Sequence, residues 1–110
     1  MKVSLHHTLA ELAKIESPFM QVMKHQSMNV EIYKPDRVDL QQPHVQDELY
    51  VIISGTGNFY NNGIITDFKP GDVLFVPAGI EHRFENFTDD FSTWVIFYGK
   101  KGGEKQQEIS

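Results

Sequence analysis

Two segments of the chain contain residue types that can bind a metal ion or transfer a proton. The first segment, residues 42–55, contains His44 and Glu48. On an extended strand, side chains an even number of positions apart share a face, so His44, Glu48 and Gln42 are predicted to point the same way. Glu48 precedes the apolar run Leu49–Ile52, where an unpaired carboxylate would be costly to bury. A metal ion or a cationic ligand would remove that cost.

The second segment, residues 71–86, brings a histidine to the start of a strand. A predicted strand ends at Pro77, the chain turns through Gly79, and His82 begins the next strand. A histidine in that position, beside His44 and Glu48, would complete a three-sided site. Imidazole and carboxylate ligands of this mix suit zinc, iron, manganese, nickel or copper. The chain has no cysteine, which excludes thiolate ligands and disulfides.

Turn residues divide the chain into short elements that must position these side chains. A helix is predicted over residues 8–16, with Thr8 as its cap, and it is followed by Ser17-Pro18. Eight strand-like segments follow it, at residues 19–24, 28–33, 48–54, 58–60, 64–67, 73–76, 83–87 and 92–98. They leave no room for crossover helices, which favours an antiparallel sandwich or small barrel.

Both segments resemble sequence motifs of the cupin family. The second matches the family's second motif, G-x5-P-x-G-x2-H-x3-N, at Gly71, Pro77, Gly79, His82 and Asn86. The first resembles the family's opening motif, H-x-H-x3-E-x6-G, at His44, Glu48 and Gly55. The resemblance implies an all-β cupin double-stranded β-helix, which is an antiparallel jelly-roll barrel, here with a short N-terminal helix. It also implies one divalent transition metal held by His44, Glu48 and His82.

The chain departs from the cupin pattern at one position. Gln42 stands where the family has its first histidine, so the resemblance supports three protein ligands and leaves the fourth open. Gln42 could offer its amide oxygen as a fourth ligand, or it could position a water molecule or substrate. Sites with two histidines, one carboxylate and open positions are used by non-haem iron oxygenases. The departure also permits a descendant that no longer binds metal.

Residues beside the ligands were assigned by strand parity. Tyr50 shares the parity of Glu48 and Phe84 shares that of His82, so both are predicted to line the pocket. Asp47 has the opposite parity and is expected to face solvent or pair with a nearby cation. Taken singly, each metal ligand has an ordinary interpretation, such as a surface histidine or a solvated carboxylate, and only their joint register predicts a site.

Length and composition limit the classes of partner. The 110 residues predict a single domain over 1–110, with its core at about 18–99 and a flexible tail at 100–110. The net charge is −5 and there is no basic cluster, so nucleic acid is not an expected partner. The apolar runs are too short to cross a membrane, and no signal peptide is apparent, so a cytoplasmic location is expected.

These observations leave three classes of function open, of which the third is a structural role with the barrel as a building block of an oligomer. The first is a metal-dependent enzyme, dioxygenase-like or isomerase-like, acting on a small molecule of unknown identity. The alternative is a non-catalytic module that binds or senses a small molecule. In either case a homodimer is expected, with the segment 19–33 and the N-terminal helix as swapping or edge-covering elements.

Overall fold

The computed structural model describes residues 1–104 and contains one helix followed by eight strands. The elements are α1 (Leu5–Leu12), β1 (Phe19–His25), β2 (Met28–Tyr33), β3 (Asp47–Ser54), β4 (Gly57–Asn61), β5 (Ile64–Phe68), β6 (Val73–Val76), β7 (His82–Glu85) and β8 (Ser92–Tyr98). Every predicted strand is present: β2, β6 and β8 have the predicted bounds, and the other five differ by one or two residues at one or both ends. Residues 105–110, which include most of the predicted flexible tail, lie outside the described range.

The predicted position of the helix was wrong. The helix begins after Ser4 and ends at Leu12, so residues 13–16 lie outside it. Thr8 does not cap the helix: its hydroxyl donates to the Ser4 carbonyl one turn earlier, and its side chain is buried within the element. A threonine can make that bond inside a helix as well as at its start, so the residue type alone did not fix the boundary.

The strands form two antiparallel sheets. The larger sheet has the order β1-β2-β8-β3-β6, and the smaller has the order β5-β4-β7. This is the mostly β cupin architecture with one short N-terminal helix that the motifs predicted. β3 lies between β8 and β6 in the larger sheet, whereas β7 is an edge strand of the smaller sheet. The two segments with metal-binding residue types are therefore on different sheets.

Aromatic rings from both sheets form the core. Tyr50 and Phe84 lie in one buried cluster with Phe59, Phe68 and Phe91. The Phe84 ring centroid lies 4.9 Å from that of Tyr50 and 4.8 Å from that of Phe59. The Tyr50 ring meets that of Phe84 edge to face, which is a preferred arrangement of aromatic pairs. This packing fixes the distance between β3 and β7 just below the ends that carry Glu48 and His82.

Gly55, the last position of the first motif, allows two loops to pass closely. Its φ is +85°, and a Cβ added there would lie 2.5 Å from the Cα of Phe91. Only glycine adopts such a conformation at low cost while leaving room for a neighbouring backbone. The motif glycine is therefore required by packing at the end of β3, away from the site.

The prediction that Asp47 faces solvent or pairs with a cation was wrong. Asp47 is 4% exposed. Its two carboxylate oxygens accept hydrogen bonds from the backbone N–H groups of Ala78 and Glu104, at 2.9 and 2.8 Å. Parity correctly turned Asp47 away from Glu48, but the loop after β6 and residues 102–104 cover that side of the strand. The first residues of the predicted tail are thus bonded to the domain.

The helix α1 contacts β1 and β2. Within residues 1–104, no helix is both long enough and apolar enough to cross a membrane.

Candidate metal centre

His44, Glu48 and His82 come together at one end of the two sheets. His44 lies in the loop before β3, Glu48 is on β3, and His82 begins β7. One potential ligand atom from each side chain lies within 4.8 Å of the others. Glu48 and His82 are 1% and 4% exposed, while His44 is half-buried and borders an open pocket. The structure therefore brings together the three residues that the sequence singled out.

The turn between β6 and β7 holds His44 in place. The backbone N–H of Gly79 donates to the carbonyl of His44 at 2.8 Å, and Gly79 has a φ of +77°. The His44 ring packs on Phe97 of β8, with 4.6 Å between the ring centroids. The glycine of the second motif thus ties the histidine of the first motif to the strand that carries His82.

The hydrogen bonding of His82 determines which ring nitrogen is free to bind a metal. Its Nδ1 lies 2.8 Å from the carbonyl oxygen of Ile80. A carbonyl can only accept, so Nδ1 carries the hydrogen and the neutral ring presents a lone pair at Nε2. A backbone carbonyl bonded to the second nitrogen is the usual support of a metal-binding histidine.

The Glu48 carboxylate is buried without a hydrogen-bond donor. Its Oε1 lies 2.8 Å from His82 Nε2, but that contact lacks the alignment of a hydrogen bond, and neither oxygen has a partner within residues 1–104. The Tyr50 hydroxyl, which is 3.0 Å from the same Nε2, donates to Gln41. Lone pairs of a nitrogen, a carboxylate and a phenol therefore converge. A divalent cation fits this donor set, because it would satisfy the two lone pairs that face each other.

Electrostatics at the site favour positive charge on His82 and a neutral phenol at Tyr50. Burial alone lowers the pKa of His82, but the Glu48 carboxylate and the Ile80 carbonyl outweigh it and raise that pKa. Burial is also the main cause of the raised pKa of Tyr50, with the Glu48 and Asp39 carboxylates adding to it. Tyr50 therefore keeps its proton at neutral pH and acts as a hydrogen-bond donor.

Sequence reasoning missed Asp39, which organises the loop across the mouth of the barrel. Asp39 is 9% exposed and accepts hydrogen bonds from the Tyr33 hydroxyl, the Phe84 backbone N–H, and the backbone and side-chain N–H groups of Gln41. Its carboxylate raises the pKa of Tyr33 further, in addition to the main effect of burial. Asp39 thus joins the loop to β2 and β7, that is, to both sheets.

Gln41, and not Gln42, connects this loop to the site. The Gln41 amide donates to Asp39 at 2.7 Å and accepts from the Tyr50 hydroxyl at 2.8 Å. Gln42 is exposed at the pocket rim with His44, so a role in coordination or positioning stays a prediction. One signal was available in the sequence: a tyrosine in an apolar strand needs a hydrogen-bond partner when buried. That signal did not identify Gln41, among the polar residues of the loop, as the hydrogen-bond partner of Tyr50.

An open pocket of about 790 Å³ adjoins the site. Its walls come from β2, β8 and the loop before β3, and they include Glu31, Tyr33, Gln42, His44, Val95 and Phe97. Tyr50 and Phe84, which were predicted to line the pocket, do not line this space but pack in the core below it. Tyr50 reaches the metal ligands through its hydroxyl. The pocket is large enough for a small organic molecule.

Comparison with known proteins relates the chain to a large family. The Cupin domain family matches residues 29–98. An uncharacterised protein of Streptomyces coelicolor, SCO3923, is 33% identical over 90 residues, which are 80% of this chain and 86% of that protein. An oxalate-binding protein of Thermotoga maritima is 39% identical over 49 residues, which cover 44% of this chain and 40% of that protein.

A solved structure shows the same fold at low sequence identity. The crystal structure of protein NMB1881 from Neisseria meningitidis aligns with a TM-score of 0.66 and 18% identity, covering 90% of this chain and all of that chain. At this identity, the likeness concerns the fold alone.

The Asp39 network makes a prediction about stability. Changing Asp39 to Asn removes one acceptor oxygen and the negative charge, and it places an N–H donor against other donors. We expect the free energy of unfolding in urea to fall by about 2–3 kcal/mol. Asp36→Asn, in the same loop and almost fully exposed, is the matched control and should leave stability unchanged. Equal stability of the two variants would contradict the assignment of Asp39 as the anchor of the loop.

Proposed function

Because this chain belongs to the cupin domain family, we propose that it binds one divalent transition metal through His44, Glu48 and His82, and a small molecule beside it. The observation that supports this proposal most strongly is the buried Glu48 carboxylate facing the lone pair of His82 Nε2 at 2.8 Å. Two such groups repel each other unless a positive charge joins them, either a metal ion bound to both or a proton on Nε2, which the raised pKa of His82 favours. The nearby pocket gives a ligand access to His44.

The residues around the site support a metal-dependent reaction on that small molecule. A divalent metal in such a centre supplies Lewis-acid or dioxygen chemistry, which corresponds to an isomerase-like or a dioxygenase-like enzyme. Tyr50 keeps its proton because of its raised pKa, and Gln41 orients the hydroxyl. The single O–H of Tyr50 is donated to Gln41, so the phenol oxygen turns a lone pair toward His82 Nε2 and can accept a hydrogen bond from a ligand or water bound there. Phe97 beside His44 excludes water from one side.

A second candidate function is binding or sensing without turnover. It is favoured by the similarity to a protein whose name describes the binding of oxalate, a small metal-chelating anion. The pocket is also open to solvent, and Val38 and Leu40, which line it, are exposed. An open mouth suits reversible binding more than reactions that must exclude water.

We further propose that the partner of this chain is a second copy of itself. The outward face of the larger sheet is apolar, and at its β6 end Val73 and Phe75 are 61% and 47% exposed. Strand register continues this face through uncharged, half-buried side chains of β3 and β8: Leu49, Val51, Trp94 and Ile96. A face without charge can pack on its own copy about a two-fold axis. The helix α1 contacts β1 and β2 of its own chain, so this face, and not the segment 19–33, is the better candidate interface.

Metal analysis tests the proposed centre. Protein prepared without an affinity tag should contain close to one transition-metal ion per chain, measured by inductively coupled plasma mass spectrometry. His82→Ala should lose most of this metal, because it removes one of three ligands. His25→Ala, an exposed histidine outside the site, should retain it. A metal content that is the same in both variants, or absent after reconstitution, would refute the centre.

Small-molecule extracts of cells distinguish catalysis from binding. Metal-loaded protein is incubated with such an extract, and the extract is compared by mass spectrometry with one treated with His82→Ala. An enzyme should convert many equivalents of one compound into a new one. A binding module should retain about one equivalent per chain and release it unchanged on denaturation.

Sedimentation equilibrium at micromolar concentration tests the dimer. The wild-type chain should have twice the mass of the monomer, and Phe75→Glu should shift it to the monomer by placing a charge on the proposed interface. Ile64→Glu adds the same charge at an exposed apolar residue of the smaller sheet and should stay dimeric. A monomeric mass for the wild-type chain would contradict the proposed dimer.

A further inference from the structure

A second carboxylate faces the pocket near the metal centre. Glu31 lies on β2, and it lines the pocket together with Asn29 on the same strand face. Cross-strand register places Asn29 opposite Phe97, which in turn lies opposite Glu48. The same register joins Glu31, through Val95, to Tyr50. Two strand spacings separate β2 from β3, so the backbones of Glu31 and Tyr50 are about 10 Å apart.

Glu31 has no cationic partner within residues 1–104. Its Oε2 accepts one hydrogen bond from the Asn29 amide at 3.1 Å, and none of the ion pairs in this part of the chain includes it. The lysine that borders the pocket, Lys34, donates to the carbonyl of Asp89. The Oδ1 of Asn29 is buried and has no donor either. The pair formed by Asn29 and Glu31 therefore has surplus acceptors.

The charge around the pocket has a consequence for the ligand. In formal charge, Glu31 and Glu48 together balance one divalent cation, while the rim adds two carboxylates, Glu16 and Asp36, and one ammonium, Lys34. Burial raises the pKa of Glu31, and the Glu48 carboxylate adds to that, while Asn29 and His44 lower it. A half-buried carboxylate in this setting gains most from a donor that carries positive charge. A dianionic ligand would bring excess negative charge to the same space.

We propose that Glu31 is a specificity residue that selects small molecules with a protonated amine several atoms from the group that binds the metal. A primary ammonium offers three donors to the surplus acceptors of Glu31 and Asn29. The spacing between β2 and β3 suits a ligand that bridges the metal and Glu31 through a short chain. This inference rests on the metal site proposed above, and it gives that site a class of substrate.

A matched series of hydroxamates tests the proposal, since hydroxamates bind divalent metals through their oxygens. Three compounds share a three-methylene chain and differ in its end group: 4-aminobutanohydroxamate ends in an ammonium, pentanohydroxamate in a methyl, and glutaric monohydroxamate in a carboxylate. Their dissociation constants for the zinc-loaded chain are measured by calorimetry. The amine should bind about tenfold tighter than the methyl compound, and the carboxylate about tenfold weaker, as expected for one partly shielded charge pair.

Glu31→Gln should bring the three affinities within about threefold of one another, because the substitution keeps the shape and removes the charge. Glu16→Gln removes the same charge at an exposed position of the rim and should keep the wild-type order. The proposal is overturned if the wild-type chain prefers the carboxylate or binds all three equally, or if Glu31→Gln keeps the full preference. A chain that takes up no zinc would instead refute the metal site itself, and this inference with it.

Discussion

The Glu48 carboxylate lies 2.8 Å from the lone-pair nitrogen of His82, shielded from water and without a hydrogen-bond donor. An uncompensated charge in such a place costs several kcal/mol as an order of magnitude, so the surrounding structure must either provide a cation or lose stability. Within residues 1–104 no lysine or arginine forms an ion pair with this carboxylate, and protonation of His82 is the one compensation that the neighbouring side chains of this part of the chain offer. Lysine and arginine side chains in the described part of the chain make their ion pairs at the surface, with Glu11, Asp36, Asp72, Glu81 and Glu85.

Glu48 and His82 stay close to each other because the two sheets that carry them are packed together. Glu48 belongs to the larger sheet and His82 to the smaller one, and the rings of Tyr50, Phe59 and Phe84, packed edge to face or tilted, fix the separation of the sheets. Asp39 adds a second connection at the mouth of the barrel by binding the backbone of β7 and the tyrosine that ends β2. Rings below and a carboxylate above hold the strands that carry Glu48 and His82 at a defined separation, which limits the geometry a bound ion would have to accept.

One face of the larger sheet, the inward one, carries both Glu48 of the candidate metal centre and the Glu31 side of the pocket. Inward side chains of β3 bring Glu48 and Tyr50 to the metal centre, and inward side chains of β2 bring Asn29 and Glu31 to the pocket. Outward side chains of these strands are apolar except for Asp47, which the loop after β6 and residues 102–104 cover, and such a face suits contact with a second copy. The period-two alternation of a strand thus separates ligand binding from assembly on a single sheet.

The sequence by itself determined the strands, the family and the three candidate metal ligands. Those features depend on local sequence patterns. Turn residues predicted where strands end, and strand parity predicted the side of β3 on which Glu48 lies. The glycine and proline spacing of the second motif predicted that His82 begins a strand. The tertiary structure alone decided the rest. It buried Asp47 under residues 102–104, made Asp39 the anchor of a polar loop, and chose Gln41 as the partner of Tyr50. These contacts join residues whose loop has no periodicity, so their partners become defined only when the two sheets close. The orientation of Glu31 toward the pocket could not be predicted for the same reason. The sequence of β2 contains no motif, and only the pairing of β2 with β8 shows which side of the strand faces the pocket.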